Sequence, residues 1–239
     1  MGKVITIKNN KGGVGKSWLT LQIAHAFTLL EKSENDLLKV LILTSDSQNN
    51  ILDYSGHSET IVEKTLEDYV KTGQRNEIRL RNNLYYMPLA KSNFSKSFRE
   101  KLKKSIENLK NDFDFILIDS VPVLEIDQDF LEIADDIIIP TYMDKATTEG
   151  ILRLMEEIDL NKIRAIVPNR YIKSKKSEIM YRDLKNNLDG TGILVTEPIK
   201  QSTAIHNFIE EGKTIWDSKS KDFEPVQMIV YQVVEELLR

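Results

Sequence analysis

Apolar residues in this chain fall into short continuous runs separated by stretches with helical spacing. Val4, Ile5 and Ile7 form the first run, and Leu19, Ile23, Phe27 and Leu30 follow at intervals of three or four. That predicts a strand and then a helix with one face toward a sheet. The charged, turn-prone run from Glu31 to Asp36 is expected to end the helix. Val40-Leu41-Ile42-Leu43 reads as a strand buried on both faces, and such strands imply a parallel sheet covered by helices. Further strands are predicted at Leu84 to Leu89, Phe115 to Ile118, Ile137 to Ile139, Ile163 to Val167 and Ile193 to Val195. Helices are predicted near 60–72, 94–110, 146–159, 175–187, 202–211 and 225–238. The alternation predicts an α/β fold: a doubly wound, mostly parallel sheet with helices on both faces and ligands at the carboxyl ends of its strands. No repeat, low-complexity tract or Pro/Gly/Ser-rich linker divides the 239 residues, so one domain over 1–239 is expected.

The stretch between the first strand and first helix carries the chemistry: Lys8-Asn9-Asn10-Lys11-Gly12-Gly13-Val14-Gly15-Lys16-Ser17. Glycines let the backbone curl so that successive N–H groups face inward, and the helix N-terminus adds partial positive charge, which makes a phosphate cradle. Lys16 is placed to reach terminal phosphates, and the Ser17 hydroxyl to take one Mg²⁺ position. An ordinary phosphate loop has glycine where Asn10 stands and makes no demand at Lys11. The run Lys11-Gly12-Gly13-Val14-Gly15-Lys16-Ser17 instead resembles the deviant Walker A motif of the ParA/MinD family of dimeric ATPases, P-loop NTPases whose first lysine reaches the partner's nucleotide. The resemblance implies ATP and Mg²⁺ as cofactors, an ATP-dependent homodimer, and catalytic roles for Lys11 and Lys16.

Mg²⁺ needs an acidic partner at the end of another buried strand. Asp114-Phe115-Ile116-Leu117-Ile118-Asp119-Ser120-Val121-Pro122 supplies Asp119, which can hold a metal-bound water or, alternatively, cap the next helix. Apolar strand, Asp, short linker and Pro is also the family's Walker B pattern. After the second strand, Thr44-Ser45-Asp46-Ser47-Gln48-Asn49-Asn50 resembles the family's paired aspartates followed by Pro-Gln, with Thr44 in place of the first aspartate and Ser47 in place of the proline. Asp46 is the candidate to orient the attacking water; its other reading is a turn aspartate bonding its own backbone. Trp18 stands where the family has Thr or Ser near the α-phosphate, and is expected to pack under the first helix, leaving that phosphate to backbone N–H groups.

Farther along, Asp135-Asp136-Ile137-Ile138-Ile139-Pro140 and Thr148-Glu149-Gly150 resemble family scaffold. In Val167-Pro168-Asn169-Arg170, Asn169 is a candidate adenine contact or a cap. Thr196-Glu197-Pro198-Ile199-Lys200-Gln201-Ser202 resembles the family's adenine-side loop, with Pro198 and Ile199 contributing through backbone.

Charge and composition narrow the function. The net charge is −4, so a nucleic-acid contact has to come from a local patch. Arg164, Arg170, Lys173, Lys175, Lys176, Arg182 and Lys185 form one basic cluster, and Lys96, Arg99, Lys101, Lys103 and Lys104 another. Either is explained by a solvated helix face. ParA-type proteins bind duplex DNA without sequence preference through basic residues of their C-terminal half. On that resemblance Lys173, Lys175, Lys176 and Arg182 are the candidate phosphate contacts. The chain has no cysteine, which excludes the thiolate-dependent iron–sulfur and metal-delivery branches of the family.

The last helix carries an apolar stripe, Val226, Ile229, Val230, Val233, Val234, Leu237 and Leu238, opposite a polar face with Glu235, Glu236 and one terminal cation, Arg239. It is expected to pack on the sheet rather than lie on an anionic membrane as the basic helix of MinD-like relatives does. With no apolar run of bilayer length and no leader pattern, a cytoplasmic protein is expected, and the ParA resemblance implies that it is nucleoid-associated. The phosphate loop begins almost at Met1, so no DNA-reading extension and no autorepression are expected. The resemblance thus implies a ParA-like ATPase for plasmid or chromosome partition, with a centromere-binding, ParB-type adaptor as partner. The alternatives are a MinD-like positioning ATPase on a membrane and a nucleotide switch that does not hydrolyse.

Overall fold

A computed structural model describes residues 2–34, 36–91, 94–121 and 125–239. In chain order the elements are β1 (Lys3–Ile7), α1 (Lys16–Thr28), β2 (Glu31–Ser33), β3 (Asp36–Leu37), β4 (Val40–Thr44), α2 (Asn50–Tyr54), α3 (Leu66–Thr72), β5 (Ile78–Arg81) and β6 (Leu84–Met87). They continue with α4 (Lys96–Leu109), β7 (Phe115–Asp119), α5 (Glu125–Ile133), β8 (Asp136–Thr141), α6 (Lys145–Glu157), β9 (Ile163–Pro168), α7 (Lys175–Asn187), β10 (Leu194–Val195), α8 (Thr203–Glu210) and α9 (Glu224–Leu238). Eight strands form one sheet in the order β10-β9-β8-β1-β7-β4-β6-β5. Every pairing in it is parallel except β5 with β6, which is antiparallel at the edge.

The unbroken apolar runs follow from two covered faces. Ile5, Ile7, Ile42 and Leu117 point into a core shared with α1 and α9, while Val4, Leu41, Leu43, Ile116 and Ile118 point into a second core with α3, α4 and α5. Toward the β10 edge, Ile137, Ile139, Ile163 and Ile166 pack with α6 and α7. Strand parity thus sorts side chains between faces even where composition shows no alternation, except at the start of β9, where a shift in the β8–β9 register puts Ile163 and Ile166 in the same core.

Several expectations change. Helix α1 is buried around almost its whole circumference, because the sheet lies on one side of it and α9 on the other. The run from Glu31 to Asp36 forms the antiparallel pair β2–β3 rather than a turn alone, Asn35 lying outside the described residues. The helix expected near 60–72 starts only at Leu66, where Thr65 and Asp68 form a capping box. Helices α2 and α5 and edge strand β5 were not predicted. On α9 the stripe packs as expected except for Leu238, about half exposed, which sits some 100° around the helix from buried Leu237. Among the described residues no helix is long and apolar enough to cross a membrane.

Where α1 meets the loop after α8, His25 lies 2.7 Å (Nδ1) from Thr214 Oγ1. Beside it Arg81 donates to the carbonyls of Ser55 and Gly212 and pairs with Asp217. Burial pushes the imidazole down to about 4, with Asp217 opposing and Arg81 assisting. The folded protein therefore holds His25 neutral at a pH where the unfolded chain, near 6.5, takes up a proton. Stability from this group is complete above pH 6.5 and is lost as pH falls toward 4, by up to about 3 kcal/mol. Urea unfolding at pH 7.5 and 4.5 should show the decline, and a His25→Gln variant should show a smaller difference between the two; equal slopes would remove His25 as its source.

Candidate active site

Three neighbouring central strands, β1, β7 and β4, end side by side, and the residues that follow them face one cavity of about 1100 Å³. Its lining includes Gly12, Gly13, Gly15, Lys16, Ser17 and Trp18 from the first loop, Asp46, Asn50 and Tyr54 after β4, and Asp119 at the end of β7. Asn169, Arg170 and the segment from Ile199 into α8 close the other side.

The loop folds as its glycines require. Gly13 and Gly15 have φ of 76° and 89°, and a Cβ on Gly15 would lie 2.2 Å from Asn169 Nδ2. Asn169 is buried, donates from that nitrogen to Val14 O at 2.9 Å, and accepts from the Arg170 N–H. It braces the loop in this structure as well as lining the cavity. Asn9 braces from below, donating to Pro140 O and accepting the Lys11 N–H. Tyr142 closes the outer side with a hydrogen bond to Gly13 O.

The two lysines differ. Lys16 is buried and folds back to Lys11 O at 3.1 Å. Burial lowers its pKa, and Asp119 and Asp127 oppose that shift. Lys11 lies 2.8 Å from both Asp144 Oδ2 and Thr147 Oγ1 at the start of α6, with its ammonium 5.4 Å from the centre of the Tyr142 ring. Burial alone would raise Asp144, but its bonds to Lys11 and Thr147 prevail and lower it.

Asp119 is buried, and burial pushes its carboxyl up to about 7 although the Ser17 hydroxyl and Lys16 pull it down. A carboxylate and a hydroxyl meeting at the floor of a phosphate-sized cradle, with the carboxylate short of positive charge, is a donor set that fits Mg²⁺. When bound there, Mg²⁺ would neutralise phosphate charge. Pro122 lies outside the described residues.

Asp46 combines both of its expected geometries. Its Oδ1 accepts the Gln48 N–H at 2.9 Å in a turn and its Oδ2 accepts from Asn50 at 3.1 Å, yet it lines the cavity. Thr44 accepts the Asp46 N–H and donates to Asp119 O, tying the two acidic strand ends together. Trp18 is buried in the α1 core, as expected, and also lines the cavity. Ile199 is buried, with its N–H on Pro168 O; Pro198 is not among the lining residues.

Lys173, Lys175, Lys176 and Arg182 stand apart from the cavity, exposed on and just before α7. Lys173 pairs with Glu178 at 3.3 Å and Arg182 approaches Asp183 at 4.0 Å. In the second basic cluster Arg99 and Lys103 are held by Glu125, Asp129 and Glu132 of α5. The sequence reading missed Asn9, Tyr142, Asp144 and Thr147; only Asp144, an N-cap three residues before Thr147, carried a local signal.

Comparison with known proteins agrees with this fold. The AAA_31 family model, an AAA domain, matches residues 2–170. The chain belongs to the ParA/MinD family of ATPases. Among family proteins, MJECL24 of Methanocaldococcus jannaschii is 30% identical over 201 residues, 72% of this chain and 75% of that protein. The chromosome partitioning protein ParA of Myxococcus xanthus is 24% identical over 224 residues, 88% of this chain and 70% of its own. A solved ATP complex of a Cyanothece McdA variant shares the fold with a TM-score of 0.80 at 18% identity, over 99% of this chain and 96% of that one. ATP is bound in that McdA variant, and Mg-ADP in a solved septum site-determining protein MinD of Pyrococcus horikoshii with the same fold.

If Asp119 is held charged at the expense of folding, Asp119→Asn should raise the melting temperature of the nucleotide-free protein at pH 8 and abolish the extra stabilisation that Mg²⁺ adds to ATP. A variant that melts lower, or keeps the Mg²⁺ effect, would contradict this assignment.

Proposed function

We propose that this chain, as one ATPase unit over 1–239, is a ParA-like partition ATPase. In this reading ATP and Mg²⁺ close a homodimer through Lys11, the dimer binds duplex DNA of the nucleoid without sequence preference, and hydrolysis releases it. Lys16 neutralises the terminal phosphates, and Ser17 and Asp119 (through water) hold the metal. Asp46 orients the attacking water, with Asn50 fixing one of its oxygens. Because Lys11 is held within its own chain by Asp144 and Thr147, contact with a partner's nucleotide would require release of that pair. A centromere-binding, ParB-type adaptor is the partner this reading requires.

The observation that carries the DNA step is the start of α7. Lys175 and Lys176 are its first two residues, exposed and with no ion pair among the described residues, where the helix dipole is already positive. Two such cations there add to the dipole's positive field, so the start of α7 offers a polyanion a concentrated positive surface rather than a balanced solvated face.

Binding to random-sequence duplex DNA, measured with ATP, ADP and no nucleotide over a salt series, should be strongest with ATP and fall with salt. Lys175→Ala combined with Lys176→Ala should flatten log K against log salt by about 1.8, two contacts at about 0.9 each. Absence of binding in every state, together with ATP-dependent sedimentation on anionic vesicles, would replace the partition reading with a positioning ATPase of the same family.

Hydrolysis has its own test. Asp46→Ala should leave ATP-dependent dimers intact in size-exclusion chromatography while slowing phosphate release between roughly tenfold and a hundredfold. Unchanged turnover would move the water-positioning role elsewhere.

A further inference from the structure

Lys8 and Asp127 form the most deeply buried ion pair among the described residues, with side chains 6% and 2% exposed. Neither lines the cavity, yet three strand ends meet on this one carboxylate. Lys8, just after β1, donates to Oδ2. Ser45, just after β4, donates through Oγ to Oδ1 at 3.2 Å. Ser120, just after β7, donates through Oγ to Oδ2 at 3.3 Å. The Ser45 hydroxyl also accepts the Val121 N–H at 2.6 Å, which binds the β4 and β7 loops directly to each other. All four polar side chains are buried.

The neighbours of these residues carry the chemistry: Lys8 leads into the loop of Lys11 and Lys16, Ser45 precedes Asp46, and Ser120 follows Asp119. A carboxylate is acceptor-only with about four lone-pair sites, so it can take donors from three loops at once. A buried ion pair is often no more stable than apolar residues of the same volume, so stability alone gives a weak account of it.

We propose that Asp127 is a positioning residue for ATP hydrolysis: with its charge matched by Lys8, it holds the β4 and β7 loops in register with the phosphate loop so that Asp46 and Asp119 address the same phosphate end of the cavity. This rests on the ATPase reading above. Asp127 acts through Ser45, Ser120 and Lys8 rather than by touching nucleotide, so its signature is a change in turnover without a change in binding.

Two variants of the full chain test it. Asp127→Asn keeps the volume but can neither match the Lys8 charge nor accept from all three donors. Ser45→Ala removes the hydroxyl bridge and leaves the ion pair. For each, Mg-ATP turnover, affinity for a fluorescent ATP analogue, melting temperature and amide hydrogen exchange are measured. The expected result is a fall in kcat of about tenfold or more in Asp127→Asn and a smaller fall in Ser45→Ala, with KM and analogue affinity within about threefold of the parent. In the parent, nucleotide should slow exchange jointly at 44–48 and 119–121; in the variants the two segments should no longer respond together. Unchanged kcat in folded variants, or affinity and kcat falling in step with melting temperature, would overturn the proposal. If Asp127→Asn does not fold, Ser45→Ala decides alone. If the parent binds the analogue but hydrolyses no ATP, the ATPase reading fails, and joint protection that persists in Ser45→Ala overturns the positioning claim separately.

Discussion

The site depends on one row across the sheet. Ile7 of β1 is the register partner of Asp119 of β7, and Asp119 is the partner of Thr44 of β4. Three adjacent parallel strands therefore stop at the same level, and the backbone after each has to turn into the same space. Parallel pairing with helices on both faces makes that row hard to shift, since a one-residue slip would exchange the residues of the two cores. The phosphate loop, the Asp46 turn and the Asp119 carboxylate are neighbours because of sheet register, although they lie far apart in the chain.

Holding charge at that row conflicts with burial. Asp119 is pushed up and Lys16 down by the same desolvation, while Lys8 and Asp127 are buried beside them as a matched pair. Buried charges of this kind are tolerated when hydrogen bonds surround them, and here the donors are hydroxyls just past the strands: Ser17 in the first turn of α1 for Asp119, and Ser45 and Ser120 after β4 and β7 for Asp127. Small hydroxyl side chains at the strand ends thus have a common function. They satisfy buried carboxylates, and at Ser45 they couple one loop to the next.

Much of this was legible in the sequence because its causes are local. Strands such as Val40 to Leu43 declare themselves by continuous apolar residues, and the phosphate loop by glycine spacing that no ordinary turn requires. Helix α7 was found with its observed ends because Ser174 caps it and Leu184 anchors a clear polar-to-apolar pattern. Elements set by tertiary context were not legible. Helix α2 has five residues, too few for a period to show, and β5 is defined only by its antiparallel partner. In α5 the spacing of Ile126, Phe130 and Ile133 was readable, but its acidic residues obscured the apolar face. At the site, Asp46 and Asp119 could be proposed from position after a strand. Asn9, Tyr142 and Thr147 could not, because their roles arise from contacts with residues 129 to 136 positions away.

The loop's two ends are held with very different strength. Near its start, Lys8 is locked to Asp127 in a buried pair whose disruption leaves an uncompensated charge, a loss of about 3–5 kcal/mol. Farther along, Lys11 meets Asp144 in a pair with side chains 39% and 45% exposed, and such pairs are worth at most about 1 kcal/mol. Release of Lys11 is therefore inexpensive while movement of Lys8 is not. On the dimer reading proposed above, the nucleotide phosphate of a second subunit draws Lys11 away from Asp144 without disturbing the strand-end row from which Lys16, Asp46 and Asp119 are positioned. Lys11 is thus held only by partly exposed side-chain contacts, in a loop whose backbone is braced at Asn9, Val14 and Gly13.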